Sequence, residues 1–436
     1  MIEVANLYIK SIFLLFIDKS SNSKYVLAAK SFFKTYEFRY NENDRKSSLV
    51  ILRAFSRILV RLKQKPPYFN DDTALVFDGN LKSIAKRIEY VKYFSGERNL
   101  NALGLENTIY STGLLNKYIQ IAVAGILTLV LFPLTLFSKN RTNWSLIPTL
   151  ILESYGLIRF CKAHKINKVY YFCIFEQNAN INAILLCNNK IKCIKNPSEV
   201  PLYFHNSIII ADILCICFEY QKEEVEYFSK TMRIGKIVTW GPESILDVLN
   251  NKPIFRAIAS RKIGYYSSAI WLRSLKGNYI KDSQEEKDET LILNTLINFI
   301  AAKKDYELIV FLHPSEKRNE KQLKESMHFY STNFNQEFFS FADINKPTNQ
   351  LFEEINIAVS AFSTIVFERL YLGYKTILAP FKSYMEFPVN NSKIINIIAR
   401  DEKQLTKMLE KNLPLTNELF FAENQINTYP INLKSQ

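Results

Sequence analysis

Short apolar runs alternate with helix-period segments along almost the whole chain, and this alternation limits the fold more than any other feature. A run of four to eight apolar residues followed by an amphipathic helix is how a strand buried on both faces and its crossover helix read in sequence. The first series predicts strands at Ser11–Ile17, Ala74–Phe77, Val169–Phe175, Ile191–Ile194, Ile213–Phe218 and Lys236–Thr239. Its helices are expected at Ser48–Lys63, Leu81–Tyr93, Pro148–Lys162, Ile181–Cys187 and Glu223–Met232. The second series predicts strands at Ile263–Tyr266, Leu308–Leu312, Ile357–Ser360, Thr376–Ala379 and Ile394–Ile398. Helices at Glu289–Lys303, Ser315–Phe329, Thr364–Leu372 and Glu402–Glu410 go with them. Turn formers in Trp240-Gly241-Pro242-Glu243 and Asn250-Asn251-Lys252-Pro253 separate the two series. The expected fold class is therefore α/β, with two Rossmann-like domains facing a cleft. The domains are residues 1–245 and 263–436, with 246–262 as linker. Ligands of such sheets bind at the carboxyl ends of the strands, and that is where chemistry is sought.

Composition agrees with two cores. Hydrophobic residues make up 48% and charged residues 22% of the 436, which excludes a disordered chain. Only 11 glycines occur, and neither G-x-G-x-x-G nor G-x-x-x-x-G-K is present, so a glycine-rich dinucleotide or P-loop site is excluded. The net charge of +14 fits an anionic membrane surface, anionic substrates, or a Lys-rich composition with no functional meaning. No basic block carries interleaved aromatics, so no nucleic-acid partner is expected. The six cysteines lie mostly inside apolar runs and read as buried thiols of a reducing compartment. Cys215-x-Cys217 has no partner pair or nearby histidine, and no metal or other cofactor is expected.

The apolar run Ile12–Ile17 is short, lacks a small-residue cleavage site and is flanked by Glu3 and Asp18. No secretory signal is read there, and the chain is expected on the cytoplasmic side of the inner membrane. A longer stretch is charge-free from Tyr118 to Ser138. Its strongly apolar part, Ile121–Phe137, would be roughly 26 Å long as a helix, short of a ~30 Å hydrocarbon core. Lys117 precedes it and Lys139 and Arg141 follow, so spanning would put one basic end on the wrong side. A peripheral or monotopic attachment of residues 118–138 to anionic headgroups fits better, with a buried core helix as the alternative.

Two strand ends carry the chemistry. The apolar strand Leu308–Leu312 runs into His313-Pro314, and Pro suits the first turn of the helix expected at Ser315. His313 would then stand at the strand's carboxyl end beside a helix N-terminus, able to donate to a phosphate or protonate a leaving group. The strand Ile357–Ser360 runs into Ser363-Thr364, with Ser363 as expected N-cap and the two hydroxyls and first-turn N–H groups as a phosphate seat. Glu368, one turn on, is placed to reach a ribose hydroxyl. Ser267 and Ser268, with Arg273, close the first strand of the second domain and could complete the pocket. In the first domain Asp78 ends one strand and Glu176 another, and either carboxylate could deprotonate an acceptor hydroxyl.

His313-Pro314 followed by a Ser363-Thr364 pair that leads to Glu368 and Gly373 resembles the bacterial sialyltransferases and related capsule or lipopolysaccharide transferases. The resemblance implies a GT-B fold and a CMP-sugar donor held by His313, Pro314, Ser363 and Thr364. It implies an inverting, metal-independent transfer to a surface polysaccharide, a lipopolysaccharide or a lipid-linked glycan, and the absence of a D-x-D triplet fits that chemistry. The acidic pair before Gly in that family has Phe77-Asp78-Gly79 as its nearest counterpart, with Phe in the first acidic position. Two alternatives stand beside this reading. One is phosphotransfer from a CDP-polyol, as in teichoic-acid polymerases; the other is a non-catalytic, membrane-docked assembly factor with a degenerate transferase fold.

Overall fold

The computed structural model describes residues 1–18, 20–35, 55–56, 58–60, 62, 74–78, 84–110, 114–137, 141–172, 178–196, 208–243, 260–275, 283–361, 363–382 and 394–426. The chain divides into two compact units. The first comprises Met1–Ser198, Asn206–Ile216 and Val225–Glu243; the second comprises Glu199–His205, Cys217–Glu224 and Ser244–Gln436. Of the expected linker, 246–259 fall outside the described residues, and Lys262 already opens a strand.

The first unit holds a six-stranded sheet. Its strands are β1 (Ala74–Asp78), β2 (Asn101–Gly104), β3 (Lys168–Tyr171), β4 (Lys192–Lys195), β5 (Ile209–Ile216) and β6 (Met232–Thr239). They lie in the order β2-β1-β3-β4-β5-β6, and every pairing is parallel. The order reverses between β1 and β3, so the ligand-binding crevice of this sheet opens beyond the ends of those two strands. Helices α1 (Ile2–Ile17), α2 (Lys24–Thr35), α3 (Ile84–Ser95), α4 (Leu114–Phe137), α5 (Arg141–Ala163) and α6 (Ala179–Asn188) belong to this unit, while α7 (Tyr220–Tyr227) is divided between the two. α5 is built into the core through Ile147, Ile151, Leu157 and Phe160, which pack with Leu75, Val169 and Leu185. It approaches the chain after β2 so closely that a Cβ on Gly156 would stand 1.9 Å from the Thr108 carbonyl oxygen, so only glycine fits.

The second unit holds five strands: β7 (Lys262–Tyr266), β8 (Glu307–Phe311), β9 (Phe339–Phe341), β10 (Ile357–Ser360) and β11 (Thr376–Leu378). Their order is β11-β10-β7-β8-β9, again all parallel, with the reversal between β7 and β10. Helices α8 (Ile270–Leu275), α9 (Gln284–Ala302), α10 (Glu320–Asn333), α11 (Thr364–Tyr371), α12 (Glu402–Asn412) and α13 (Asn417–Glu423) accompany it. Two buried cations tie it together. Arg369 donates to the carbonyls of Phe352 (2.9 Å) and Ile355 (3.2 Å). Lys375 donates to Asn412 (2.9 Å) and Leu413 (3.0 Å), the carbonyl end of α12, where a helix dipole favours positive charge.

Both units are thus parallel-sheet α/β structures, the class read from the alternation of apolar runs. Several elements differ from expectation. Ser11–Ile17 is the last part of helix α1, whose buried face is Val4, Leu7, Tyr8 and Ser11. Phe13 and Phe16 sit on its outer face, each 61% exposed, and apolar residues on both faces hid the helical period. Met232 opens β6 instead of ending a helix. Ile394–Ile398 forms a 3-10 turn (Ile395–Ile397) with a single bridge from Ile398 to Leu378. The helix expected from Ser315 begins at Glu320, because Asn319 rather than Ser315 caps it, accepting the Gln322 N–H at 2.9 Å. Most of Ser48–Lys63 lies outside the described residues.

Candidate functional site

β10, β7 and β8 are neighbours, so the loops that leave their carboxyl ends lie side by side, spaced by roughly 5 Å per strand. Ser363-Thr364 follow β10, Ser267-Ser268 follow β7 and His313-Pro314 follow β8. The fold therefore brings these sequence candidates to one edge of one sheet.

His313 is half-buried in a tight loop. Pro314 lies in a turn and is exposed, so His313 is not joined directly to a helix N-terminus as its neighbour Pro had suggested. The Ser315 N–H donates to His313 Nδ1 at 3.2 Å, and the Ser315 hydroxyl lies 2.7 Å from the same nitrogen. A backbone N–H can only donate, so Nδ1 is the acceptor nitrogen and Nε2 carries the proton. Burial lowers the imidazole pKa to about 4, with the charges of Arg273 and Lys317 pushing the same way. At neutral pH His313 is therefore an uncharged Nε2–H donor in a positive field. That suits gripping a phosphate oxygen, and the lowered pKa departs from the ordinary histidine value expected from the sequence.

Ser363 is the N-cap residue of α11 in extended conformation (ψ 133), but its side chain makes no capping bond. Its N–H donates to Ser360 Oγ at 3.2 Å, while the Ser360 hydroxyl donates to the Tyr266 carbonyl at 2.6 Å. Ser360 thus ties β10 to β7 at the switch point. The Ser363 side chain caps none of the first-turn N–H groups of α11, of which that of Val366 donates to the Ser363 carbonyl at 3.3 Å; such a helix start favours an anion. Thr364 and Glu368 are half-buried, one turn apart on this helix.

The Ser267 hydroxyl and the Ser268 amide bond within the protein. The Ser267 hydroxyl accepts the Ala269 N–H at 2.9 Å and lies 2.8 Å from the Tyr330 hydroxyl. Ser268 donates its N–H to Glu289 Oε1 at 2.6 Å, and Ile270 donates to Oε2 at 3.2 Å. Behind the His313 loop, Glu316 accepts the His313 N–H (2.7 Å) and the Trp271 Nε1–H (2.6 Å), with the Tyr330 hydroxyl at 3.0 Å. Sequence reasoning missed both carboxylates. Glu316 lies three residues beyond His313 and Glu289 opens the helix expected at Glu289–Lys303, and neither position carries a signal of burial in the sequence.

In the first unit Asp78 ends β1 and is buried. Its carboxylate lies 3.0 Å from Arg87 Nε; Arg87 Nη1 lies 3.3 Å from Glu243, and its guanidinium sits 4.6 Å from the centre of the Phe172 ring. Asp78 thus stands at the β1–β3 switch point in an ion-paired cluster. Gly79 and Glu176 lie outside the described residues.

No family model matches the sequence, and no curated protein does. Solved structures with a similar fold include Acinetobacter baumannii MurG, at 9% identity and a TM-score of 0.42 over 83% of this chain and 96% of that one. The UDP-GlcNAc 2-epimerase of Methanocaldococcus jannaschii, in complex with UDP-GlcNAc and UDP, is 12% identical with a TM-score of 0.44, covering 79% of this chain and 93% of its own. The wall teichoic acid polymerase TagF is 10% identical with a TM-score of 0.41, covering 88% and 92%. These are distant likenesses.

Proposed function

We propose that this chain is a glycosyltransferase that takes a sugar from a nucleotide donor and passes it to a glycan or lipid-linked glycan acceptor. One observation carries the reading. Three adjacent carboxyl-end loops of the second sheet present a neutral imidazole N–H donor, a helix start that Ser363 does not cap, and the cations Arg273 and Lys317 around one edge. That combination binds a phosphate without a metal. As the sugar departs, negative charge grows on the donor phosphate, and fixed donors of this kind stabilise it as an oxyanion hole does. Thr364 and Glu368 extend the seat along α11 toward the sugar or ribose hydroxyls. Asp78, at the carboxyl end of β1, and Glu176, which lies outside the described residues, are the candidates for the base that acts on the acceptor. The resemblance of His313-Pro314 and Ser363-Thr364 to sialyltransferase-like enzymes favours a CMP-sugar, and a surface polysaccharide or lipopolysaccharide as acceptor.

We also propose attachment to an anionic membrane surface on the cytoplasmic side through α4. Leu115–Pro133 is long and apolar enough to cross a membrane, and only 11% of that window is buried. Its hairpin partner α5 is core along its length, and Leu127 and Leu131 of α4 pack on the same core. α4 therefore lies along the surface of its unit, with Leu115, Tyr118, Ile126 and Leu129 facing outward. That exposure supports reading α4 as an in-plane helix.

The test is a thermal-shift screen with CMP, CDP, UDP, TDP and GDP, followed by nucleotide-release assays with the matching sugars. A nucleotide bound at a hundredfold excess over Kd stabilises the fold by about 2.7 kcal/mol. A product lacking phosphorus separates sugar transfer from polyol-phosphate transfer. Absence of stabilisation by all five nucleotides would overturn the proposal.

A further inference from the structure

We propose that Glu289 and Glu316 are positioning residues of the donor edge, two buried carboxylates that hold the β7 and β8 loops from behind. This rests on the reading of that edge as the nucleotide site. Glu316 fixes the backbone of His313 itself. Glu289, from α9, grips the N–H groups on both sides of Ala269, whose φ of +54 is unusual for a residue with a Cβ. Such a conformation costs roughly 1–3 kcal/mol and persists where its surroundings over-determine it. Here the restraints are the Glu289 clamp and the Ser267 hydroxyl, which accepts the Ala269 N–H. Ser267, Tyr330 and Glu316 form one hydrogen-bonded chain, so the two loops are held by a single network.

The clamp needs Glu289 ionised. Each of its oxygens accepts one N–H, and a proton on either would oppose the donor it meets. The titratable groups around it are Tyr265 from β7, Glu316 from the loop after β8, Tyr330 from α10 and Glu286 on its own helix. None of these is a cation. Burial raises the Glu289 pKa to about 7 and the Glu316 charge adds to it, while the Ser268 and Ile270 amides pull it down. A small pocket of about 30 Å³, lined by Tyr265, Glu286, Glu289 and Tyr330, leaves room for water beside the carboxylate. The clamp therefore loosens as pH falls through about 7. The effect on stability has the opposite sign. A carboxyl whose folded pKa lies above its unfolded value of 4.5 adds stability that is complete below about 4.5 and lost as pH rises through about 7. The ionised form that orders the loop is the one the fold tolerates less well.

The experiment is residue-resolved amide exchange on the nucleotide-free full chain between pH 6 and pH 8, corrected for intrinsic exchange. Alongside it, calorimetry measures Kd for CMP, CDP and UDP over the same range. Protection of Ser268 and Ile270 is expected to fall about tenfold from pH 8 to pH 6 and to be low and flat in Glu289→Gln. Glu316→Gln is expected to lower protection at His313. Nucleotide affinity is expected to weaken with the same midpoint in the wild type and to lose that pH dependence in Glu289→Gln. Wild-type protection that is flat across this range overturns the clamp even if the variants do not fold, and so does unchanged protection in a folded Glu289→Gln. Protection that follows Glu289 while no nucleotide binds at any pH upholds the clamp and overturns the donor-site reading instead.

Discussion

The amide of Ser315 donates to Nδ1 of His313, and that bond decides which proton the imidazole carries. With Nδ1 occupied as an acceptor, Nε2–H is the group that can meet a ligand. The folded pKa of about 4 lies below the ordinary 6.5, so protonation of His313 opposes folding. Its contribution to stability is present above about pH 6.5 and is lost as pH falls through about 4. Nitrogen chemical shifts of labelled histidine should report the Nε2–H tautomer and a neutral ring at pH 6 in the nucleotide-free protein. A ring half-protonated near pH 6.5 would contradict the burial argument.

Replacement of His313 by Ala should lower kcat and kcat/KM together by about 10²–10³-fold, the range for loss of one oxyanion donor. Steady-state nucleotide release on the folded fraction measures it. Turnover within about threefold of wild type would leave His313 a loop residue only, and with it would fall the main support for transfer at this edge.

The Asp78–Arg87–Glu243 cluster gives a test of the base. Arg87 is buried between two carboxylates, and removing one member of a buried ionic cluster costs about 3–5 kcal/mol. Arg87→Met should therefore lower the melting temperature clearly. If Asp78 is held in this pair only to close the end of β1, Asp78→Asn will cost stability and spare turnover per folded molecule. A loss of kcat beyond about a hundredfold in a well-folded Asp78→Asn would assign it the base, and the same loss in Glu176→Gln alone would assign it there.

Four of the five strands of the second unit are legible because their apolar runs are mostly buried, and Ile357–Ser360 has the bounds the sequence predicts. β2, as Asn-Ala-Leu-Gly, and β9, as Phe-Ser-Phe, carry too few apolar residues to stand out, and their place at the sheet edges comes only from pairing. The strand ends bearing His313 and Ser363 were legible for the same reason as the strands. What lies behind them was not. Whether Glu289 is buried depends on the path of α9 beneath the β7 loop, a tertiary fact that a helical acidic run does not encode. The bond of Ser315 to His313 likewise competes with helix capping, and only the observed Asn319 cap shows which won.

α4 gives a prediction about partition. Aspartate at Ile126 and Leu129, both outward-facing and more than half exposed, should leave the fold intact because neither side chain is core. It should release the protein from anionic vesicles, since each substitution puts a charge where apolar area was to be buried. Vesicle co-sedimentation at low salt, with circular dichroism as the control, measures both. Wild-type protein that stays in the supernatant would sink the membrane proposal, and a melting temperature that falls in the double variant would place this face of α4 in the core instead.

Ser363 separates a structural cap from a ligand contact more cleanly than its sequence position promised. An N-cap side chain that accepts a first-turn N–H contributes about 0.5–2 kcal/mol, and losing it lowers stability by that amount. Ser363 makes no such bond, and what it gives the fold is its backbone N–H to Ser360 Oγ, which alanine keeps. Ser363→Ala should therefore shift the melting temperature by little, within the ±0.5 kcal/mol common for substitutions that break no contact. If its hydroxyl instead meets the donor phosphate, nucleotide Kd should rise about tenfold, the loss of one hydrogen bond to a charged group. Ser360→Ala makes the contrast. It removes the bond to the Tyr266 carbonyl that ties β10 to β7, so stability should fall by about 1–3 kcal/mol as a buried carbonyl loses its partner. Calorimetry on both variants, with unfolding curves, reads the two effects apart. A Ser363→Ala protein that is destabilised while binding every nucleotide as the wild type does would return this residue to a structural role.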